Sequence, residues 1–337
     1  MQQDIQNIIK LPSWTQVLGD PHLGKKFVTG VPTHRKGERE EMMRNVFEAT
    51  LLESGHKLHV CMGDLFDKFR VPEEVILFTA DTYKKAAKQY PEREFVILRG
   101  NHDASRDIEF KSSFDVFEAL VSSVPNIHVV SEKALLLSID KVPMVFYPWH
   151  PFKTAKEIAV EIKPPVGFFA FGHWDILAFA EDSSATDNLI PFEELQTALA
   201  AITGHYHTPR VYTEGDLPVW VTGSMQPYSH AEDPNNTLYV TQPLETVVKT
   251  LEADPEAYKN LNLRITLLPT EAPLAEIDCL SLTHKRVSES NEEDLEVNLD
   301  SFDLEGIFKT TMAEHDVSTD TTGRLWSEFM DLSAEAE

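Results

Sequence analysis

The sequence predicts an α/β protein in which β-sheets form layers flanked by helices. Over the first two thirds of the chain, short apolar runs of strand type alternate with stretches of helical periodicity. Several of these runs end in glycine followed by an acidic, amide or histidine side chain. With 337 residues, the chain is long enough for two domains at most and for a sizeable buried core.

Seven short runs carry the strand prediction. In chain order they are residues 14–18, 58–62, 95–98, 144–147, 166–171, 200–203 and 219–222. Short apolar runs of this length are typical of strands. Their alternation with helical stretches favours a layered sheet with the helices outside.

Two stretches between these runs have helical periodicity. Residues 36–53 place apolar side chains on one face and charges opposite, with Gly55 as a stop signal. The predicted buried face comprises Met42, Met43, Val46, Phe47, Thr50 and Leu51. Residues 73–88 present a similar face made of Val75, Ile76, Phe78, Thr79 and Tyr83.

The pattern changes after about residue 225. Residues 237–241 and 262–268 alternate like strands between prolines, and residues 287–300 are acidic, as in an exposed linker. Two short amphipathic stripes follow, Leu304, Ile307, Phe308 and Met312, then Leu325, Trp326, Phe329 and Met330. We expect a core at 12–250, a small β-rich capping segment at 251–286, an acidic linker at 287–300 and a helical tail at 301–337.

The chain is strongly acidic, and its charge is unevenly distributed. Lys plus Arg is 30 and Asp plus Glu is 55, which gives a formal charge of −25. Residues 1–110 hold 16 basic and 17 acidic residues, whereas residues 271–337 hold 4 and 18. This balance argues against nonspecific nucleic-acid binding through a basic surface. A polyanionic substrate would have to be held by bound metal or by a partner protein.

The sequence also bears on the compartment. No window approaches ~18 consecutive apolar residues, and the N-terminal residues lack the basic start and apolar stretch of a secretory signal. Two cysteines, Cys61 and Cys279, cannot form a disulfide framework or a zinc knuckle. We therefore expect a cytoplasmic protein with no membrane partner.

The residues that follow the strand-like runs carry the functional signal. Five times a run ends in glycine and then in a residue of metal-binding or acid–base type. In α/β folds, functional groups gather at the carboxyl ends of the strands. The resulting set is Asp20, His22, Asp64, Asn101, His102, His173, His205 and His207.

This set is typical of a site that holds two metal ions. Carboxylate oxygens and imidazole nitrogens are suitable ligands for manganese, iron or zinc. Two metals ~3.5–4 Å apart, bridged by one carboxylate, can clamp a phosphodiester and activate water. A single Asp after glycine is usually a turn residue, and a single histidine is usually a surface or packing residue. The ordered recurrence favours the metal site over these simpler interpretations.

The order and spacing of these residues resemble the calcineurin-like metallophosphoesterase superfamily. Its pattern is D-x-H, G-D-x-x-D, G-N-H-[DE], G-H and G-H-x-H, in that order. The sequence has all five blocks over about 190 residues, at 20–22 (DPH), 63–67 (GDLFD), 100–103 (GNHD), 172–173 (GH) and 204–207 (GHYH). The resemblance implies a metallophosphoesterase β-sandwich flanked by helices.

The resemblance also implies roles for individual residues. It implies that Asp20, His22 and His207 hold one metal. It implies that Asn101, His173 and His205 hold the other, with Asp64 bridging the two. By the same resemblance, His102 faces the scissile phosphate and either protonates the leaving oxygen or stabilises charge on it. Asp67 and Asp103 are expected to orient ligands through hydrogen bonds.

Within the superfamily, the sequence is most similar to the double-strand-break nuclease branch, the SbcD-type subunits and their phage counterparts. Residues 223–232 (GSMQPYSHAE) are similar to that branch's G-S-x-x-x-x-S-x-x-E segment. Pro148-Trp149 and Gly172-His173-Trp174 resemble its compact phage forms. A small β-rich segment followed by a helical tail also matches the layout of the branch.

This resemblance implies a nuclease that depends on two divalent metal ions, with manganese favoured over magnesium, iron or zinc. The implied activities are exonuclease action on double-stranded DNA ends and endonuclease action on single-stranded or hairpin DNA, in DNA repair, recombination or replication. The implied partners are DNA, a second copy of the chain and an SbcC-type coiled-coil ATPase, which the tail would bind. The acidic charge fits this function only if the partner supplies much of the DNA-binding surface.

Two other functional classes remain open. A stand-alone phosphoesterase acting on a phosphoprotein or a small phosphorylated molecule would use the same metal site, and the acidic surface would not oppose it. A non-catalytic scaffold would keep the fold, but it has no reason to keep seven ligands and His102. For the tail, completing the small β-rich segment is the alternative to binding a partner.

One loop partly matches a different motif. Residues 19–26 (GDPHLGKK) fit the phosphate-binding loop pattern G-x-x-x-x-G-K-[ST] except at the last position, where Lys26 replaces Ser or Thr. Because Asp20 and His22 lie in the same loop, we do not expect ATP binding. Lys25 and Lys26 either approach DNA phosphates or are two solvated lysines.

Overall fold

Two β-sheets packed face to face form the centre of the computed structural model, which describes residues 9–105, 110–175, 188–274 and 276–287. The first sheet has four parallel strands in the order β1-β2-β3-β4. The bounds are β1 Thr15–Leu18, β2 Leu58–Cys61, β3 Glu94–Leu98 and β4 Ile127–Val130.

The second sheet has six strands in the order β5-β6-β7-β8-β10-β9. The four central strands, β6, β7, β8 and β10, run parallel, and the edge strands β5 and β9 run antiparallel to their neighbours. The bounds are β5 Leu135–Ile139, β6 Val142–Tyr147, β7 Phe168–Gly172, β8 Ala198–Thr203, β9 Arg210–Glu214 and β10 Leu217–Val221.

Helices cover the outer faces of both sheets. On the first sheet lie α1 Glu38–Leu52, α2 Glu73–Gln89 and α3 Ser113–Val121, and on the second lies α4 Ala155–Val160. The two shorter helices begin with reciprocal caps, in which Ser112 and Thr154 exchange hydrogen bonds with the acidic residue three positions later. The result is a helix–sheet–sheet–helix arrangement.

Strands β3 and β7 are almost entirely apolar because both of their faces are buried. In β3, Val96 and Leu98 point into the space between the sheets, whereas Phe95 and Ile97 pack under the helices. From the second sheet, Phe146 and Phe171 enter the same inner layer. This double burial explains why the sequence shows continuous apolar runs rather than alternation.

A third sheet lies C-terminal to the other two. It has three parallel strands, β11 Tyr239–Pro243, β12 Asn262–Leu267 and β13 Ser281–Arg286, and one helix, α5 Leu244–Ala253. These elements share their own apolar cluster. The sheet begins at Tyr239 and so includes the last part of the expected core at 12–250. The division into core, capping segment and linker stays a prediction.

The predicted fold class is confirmed, since the chain forms a mixed α/β structure with several sheets and helices. Each of the seven predicted strands overlaps a strand, and both predicted helices are present. The expected face of α1 was too wide, because Met43, Phe47 and Leu51 are buried but Val46 is exposed. The buried residues follow a single i, i+4 stripe, and Val46 lies outside it.

The expected helical tail at 301–337 and the linker after Val287 lie outside the described residues. Within the described ranges, no helix has the length and apolar character needed to cross a bilayer.

The two-sheet core provides the first testable prediction. Phe171→Ala should lower the free energy of unfolding by about 3–5 kcal/mol, because this buried ring lies between the sheets and stacks on Phe146 at 5.0 Å. The matched control is Phe152→Ala, whose side chain is 54% exposed and should cost less than about 1 kcal/mol. Chemical denaturation measures the free energy of unfolding of both variants. Equal losses for the two variants would contradict the packing described here.

Candidate metal centre

Five strand ends meet at one end of the two-sheet core. β1, β2 and β3 of the first sheet end just before the first three motifs, and β7 and β8 of the second sheet end at the last two. Because these strands are parallel within each sheet, their carboxyl ends lie at the same edge. The residues brought together are Asp20, His22, Asp64, Asn101, His102, His173, His205 and His207.

The first group in this centre comprises Asp20, His22, Asp64 and His207. One ligand atom from each lies within 4.8 Å of all the others, so the four could hold a metal ion. His22 Nε2 is 3.0 Å from His207 Nε2 and 3.7 Å from Asp64 Oδ2. Asp20, His22 and Asp64 are no more than 1% exposed. The group is therefore a dense set of buried donor atoms.

A second group lies on the other side of Asp64. Asn101 Oδ1 is 2.9 Å from His173 Nε2 and 3.0 Å from His205 Nδ1. His173 Nε2 is in turn 3.5 Å from Asp64 Oδ2. The same Asp64 oxygen thus faces a histidine of each group, and all seven expected ligands converge on one region.

Two glycines make this convergence possible. A Cβ at Gly100 would lie 2.2 Å from Asp64 Oδ1, and a Cβ at Gly204 would lie 2.5 Å from Asp20 Oδ1. Neither position can carry a side chain unless a buried carboxylate moves. Gly100 and Gly204 are therefore needed for the close approach of their loops to the loops that carry Asp64 and Asp20.

Asp103, one of the two further acidic residues, acts mainly on the loop backbone. The Asp103 carboxylate accepts hydrogen bonds from the N–H groups of Leu65, Phe66 and Gly100 at 2.9–3.0 Å. Burial and the neighbouring Asp64 raise the pKa of Asp103, and these N–H donors oppose that rise. Asp103 therefore joins the loop that carries Asp64 to the loop that carries Asn101.

Asp67 and His102 are connected through the backbone. His102 Nδ1 lies 2.7 Å from the Asp67 carbonyl oxygen, so this nitrogen is the donor and carries the proton. The backbone N–H of His102 donates to Asp64 Oδ1 at 2.9 Å. The Asp67 carboxylate accepts from Lys25 Nζ at 3.2 Å and lies 3.8 Å from His22 Nδ1. His102 is exposed, unlike the other histidines discussed, and so is the member open to solvent.

Two carboxylates that were not predicted as site residues lie beside His205 and His207. Asp175 Oδ1 is 3.2 Å from His205 Nε2 and accepts from the Tyr206 hydroxyl at 3.0 Å. Glu232 Oε1 is 3.3 Å from His207 Nδ1. Each carboxylate fixes the orientation and tautomer of its ring, so that the other nitrogen faces the centre. Glu232 is the last residue of segment 223–232, which is similar to the G-S-x-x-x-x-S-x-x-E segment and could have pointed to it. Asp175 belongs to none of the five motif blocks.

Burial governs the charge states of the centre. Burial raises the pKa of Asp20 and lowers the pKa of His22 to about 3, which favours a neutral imidazole. Burial also acts on Asp64 and His173, but their mutual attraction prevails and moves the pKa of His173 up and that of Asp64 down. Asp20 adds to the rise at His173. Without a cation, His173 is therefore the positive charge that balances Asp64.

The donor set fits divalent cations. Asp20 Oδ1 and His22 Nδ1 are buried and have no hydrogen-bond partner within the described part of the chain. Two carboxylates, an amide oxygen and four imidazoles are ligands that transition metals accept. A buried group of like-charged carboxylates is otherwise costly, because each loses its hydration.

The fold and this centre define a metallophosphoesterase. The family model for calcineurin-like phosphoesterases matches residues 16–209, more than half of the 337 residues, and the chain belongs to that family. Members of the family use divalent metal ions, so the chain is a metal-dependent hydrolase. Among curated proteins, none matches the sequence.

Solved structures match at low similarity, and three of them illustrate this. Phosphopantetheinyl hydrolase from Mycobacterium tuberculosis is 12% identical over 64% of this chain and 93% of its own, with a TM-score of 0.37. An archaeal phosphodiesterase is 12% identical over 64% and 87%, with a TM-score of 0.31. GAP50 of Plasmodium, an anchor in the inner membrane complex, is 12% identical over 63% and 71%, with a TM-score of 0.36. At these values the likeness carries no argument about substrate.

The carboxylate behind His207 provides the second testable prediction. Glu232→Ala should weaken manganese binding by about 10–100-fold, because His207 loses the group that orients its ring. Isothermal titration calorimetry measures the affinity, and circular dichroism checks the fold. Glu252→Ala, on the exposed side of α5, is the matched control and should bind manganese normally. Unchanged affinity in Glu232→Ala would show that the contact with His207 has no positioning role.

Proposed function

We propose that this metal-dependent hydrolase is the DNA nuclease subunit of an SbcCD-like complex. The observation that carries the proposal is the contact between segment 223–232 and the metal centre. Glu232 lies against His207, and the Tyr228 hydroxyl donates to the carbonyl oxygens of Asp20 and Pro21. This segment resembles the one that follows the last motif in SbcD-type nucleases. Its contacts with the loops of the metal centre support a role for the resembling residues in positioning that centre.

We assign the ligands of the two metals from the two groups of residues. Asp20, His22 and His207 hold one ion, Asn101, His173 and His205 hold the other, and Asp64 bridges them. The position of Asp64 Oδ2, 3.7 Å from His22 Nε2 and 3.5 Å from His173 Nε2, supports the bridging role. When bound, a pair of divalent ions supplies Lewis acidity toward phosphoryl oxygens and an activated water. Manganese is the ion we propose.

His102 is the proposed catalytic residue. Its Nδ1 is held by the Asp67 carbonyl, and its backbone N–H is held by Asp64, so the ring has a fixed position beside the centre. Its exposed Nε2 side can reach a phosphodiester that lies over the metals. With a second proton on Nε2, the ring protonates the leaving oxygen or stabilises charge on it.

The remaining parts of the proposal concern partners. The chain acts on double-stranded ends and on single-stranded or hairpin DNA, as a homodimer with a coiled-coil ATPase, in the cytoplasm. The ATPase supplies much of the DNA-binding surface, since the charge of −25 opposes binding of a polyanion. The tail at 301–337 binds that partner.

A stand-alone phosphoesterase is the second candidate function, and it uses the same metal centre. The acidic charge of the chain favours it, because a phosphoprotein or a small phosphorylated molecule is less repelled than DNA. Segment 223–232 and its contacts with Asp20 and His207 favour the nuclease.

The third prediction tests the reaction. With manganese, the purified chain should degrade linear duplex DNA and cut single-stranded DNA, and it should do so faster with a co-expressed coiled-coil ATPase. Asp64→Ala should abolish this DNA cleavage and lower the amount of bound metal measured by mass spectrometry. The reason is that the variant lacks the carboxylate that would offset the repulsion between two cations. Hydrolysis of nitrophenyl phosphate esters without any action on DNA would favour the stand-alone phosphoesterase. Normal nuclease activity in Asp64→Ala would overturn the ligand assignment.

The fourth prediction separates catalysis from metal binding. His102→Ser should keep both metals but lose about 10²–10⁴-fold in turnover, the usual loss for a general acid or a charge-stabilising donor. Metal analysis tests whether both metals are kept, and single-turnover kinetics test the loss of turnover. His128→Ser, in β4 and paired with Glu94 away from the centre, is the matched control and should retain turnover. Loss of metal in His102→Ser would make His102 a ligand instead.

A further inference from the structure

A groove of about 330 Å³ lies between the loop after β1 and the third sheet. Its lining includes three cationic side chains, Lys25, Lys26 and Arg264, and none of the described residues that line it is acidic. The chain as a whole has 55 acidic and only 30 basic residues. The groove is therefore a local exception to the charge of the protein, and it suits an anion.

The groove adjoins the metal centre through two of its lining residues. Tyr228 lines the groove, its hydroxyl binds the Asp20 carbonyl at 3.1 Å, and its ring lies edge-on to His22 at 5.4 Å. Lys25 also lines it, and its ammonium contacts Asp67 and lies 5.4 Å from the Tyr228 ring. An extended molecule bound in the groove can thus continue into the centre.

The two walls of the groove are joined without any ligand. The N–H of Leu282 in β13 donates to the Gly30 carbonyl at 2.9 Å, which ties the loop to the third sheet. Gly30 has a positive φ of 69°, and a Cβ there would lie 2.2 Å from the Leu282 carbonyl oxygen. Arg35, in the same segment, donates to Asp278 at 3.0 Å. The groove is therefore preformed, and binding needs little ordering of the protein.

The size and chemistry of the groove fit a single polynucleotide strand. Its volume is at the lower end for organic ligands, which suits a nucleotide unit rather than a duplex. Lys26 is exposed, Arg264 is half-buried, and both can meet phosphates. Val28 is 73% exposed, and together with the half-buried ring of Phe27 it offers an apolar surface to a base.

We propose that this groove binds the single DNA strand next to the scissile phosphate, with Lys26 and Arg264 contacting its phosphates. The proposal rests on the proposed nuclease function. In this proposal, the metal centre binds the reacting phosphate of the strand. The loop after β1 and the third sheet bind the nucleotides next to that phosphate.

The test measures binding of a fluorescent 12-nucleotide oligothymidine by anisotropy. The full chain carries His102→Ser, which slows cleavage, and manganese is present. Adding Lys26→Gln and Arg264→Gln together should weaken binding at least about tenfold, and the slope of log K against log salt should fall by about 1.4 for two lost phosphate contacts. Lys163→Gln removes an exposed charge outside the groove and should change binding less than about twofold.

The outcomes separate this proposal from the nuclease proposal. Unchanged affinity and slope in the double variant, or an equal loss in Lys163→Gln, would overturn the groove even if the wild-type chain cleaves DNA. Groove-dependent binding by a wild-type chain that cleaves no DNA would overturn the nuclease and keep the groove. If the double variant unfolds at a lower temperature than its parent, Lys26→Gln alone decides, with an expected slope change of about 0.7.

Discussion

The burial of two carboxylates of like charge, Asp20 and Asp64, is the constraint on which the rest of the structure depends. Both are at most 1% exposed, and an unpaired buried charge is among the most costly features a protein can contain. The chain compensates them in part with backbone donors, the N–H of His205 for Asp20 and that of His102 for Asp64. Burial opposes protonation of His173, but the nearby Asp64 and Asp20 raise the pKa of its imidazole, so that a positive charge there balances part of the remaining negative charge. Divalent cations, which members of this family use, would supply this compensation more completely.

This constraint explains features that otherwise look unrelated. Three non-glycine residues of the centre, His22, Asp64 and His205, have positive φ angles of 46°, 47° and 76°. Such angles are uncommon outside glycine and persist where the surroundings enforce them. Here the Asp103 carboxylate accepts hydrogen bonds from the loop backbone, and the carboxylates of Asp175 and Glu232 contact the ring nitrogens of His205 and His207; these contacts hold the loops in place. The two-sheet core supplies the rigid support from which these loops extend.

How much of this could be predicted from the sequence depends on how local each signal is. Seven strands were predicted from short apolar runs, but such a run alone does not decide the structure, because edge strand β5 (LLLSI) contains one and was not predicted. Helices α3 and α4 are short and depend on their caps, Ser112 with Asp115 and Thr154 with Glu157. The strand-end motifs were visible because each is a compact block.

The supporting residues of the centre had no such local signal. Asp175 and Glu232 act on histidines that are 30 and 25 positions away, so only the folded chain brings each pair together. Lys26 and Arg264 are separated further still, and they line one groove because the N–H of Leu282 joins β13 to Gly30. Contacts set by sheet order and loop anchoring cannot be seen in residue spacing along the chain.

The same distinction between local and global properties resolves the conflict between an acidic chain and an anionic substrate. A formal charge of −25 describes the whole chain, but at physiological ionic strength charges more than about 8 Å apart are largely screened. What a bound phosphate experiences is therefore set mainly by its nearest groups. In the groove these are Lys25, Lys26 and Arg264, without an acidic side chain among the described lining residues. At the centre they are the divalent cations that Asp20, His22, Asp64 and His207 could hold. The net charge of the whole chain still opposes a long polyanion, whereas the arrangement of a few side chains governs how the phosphates nearest to them are held.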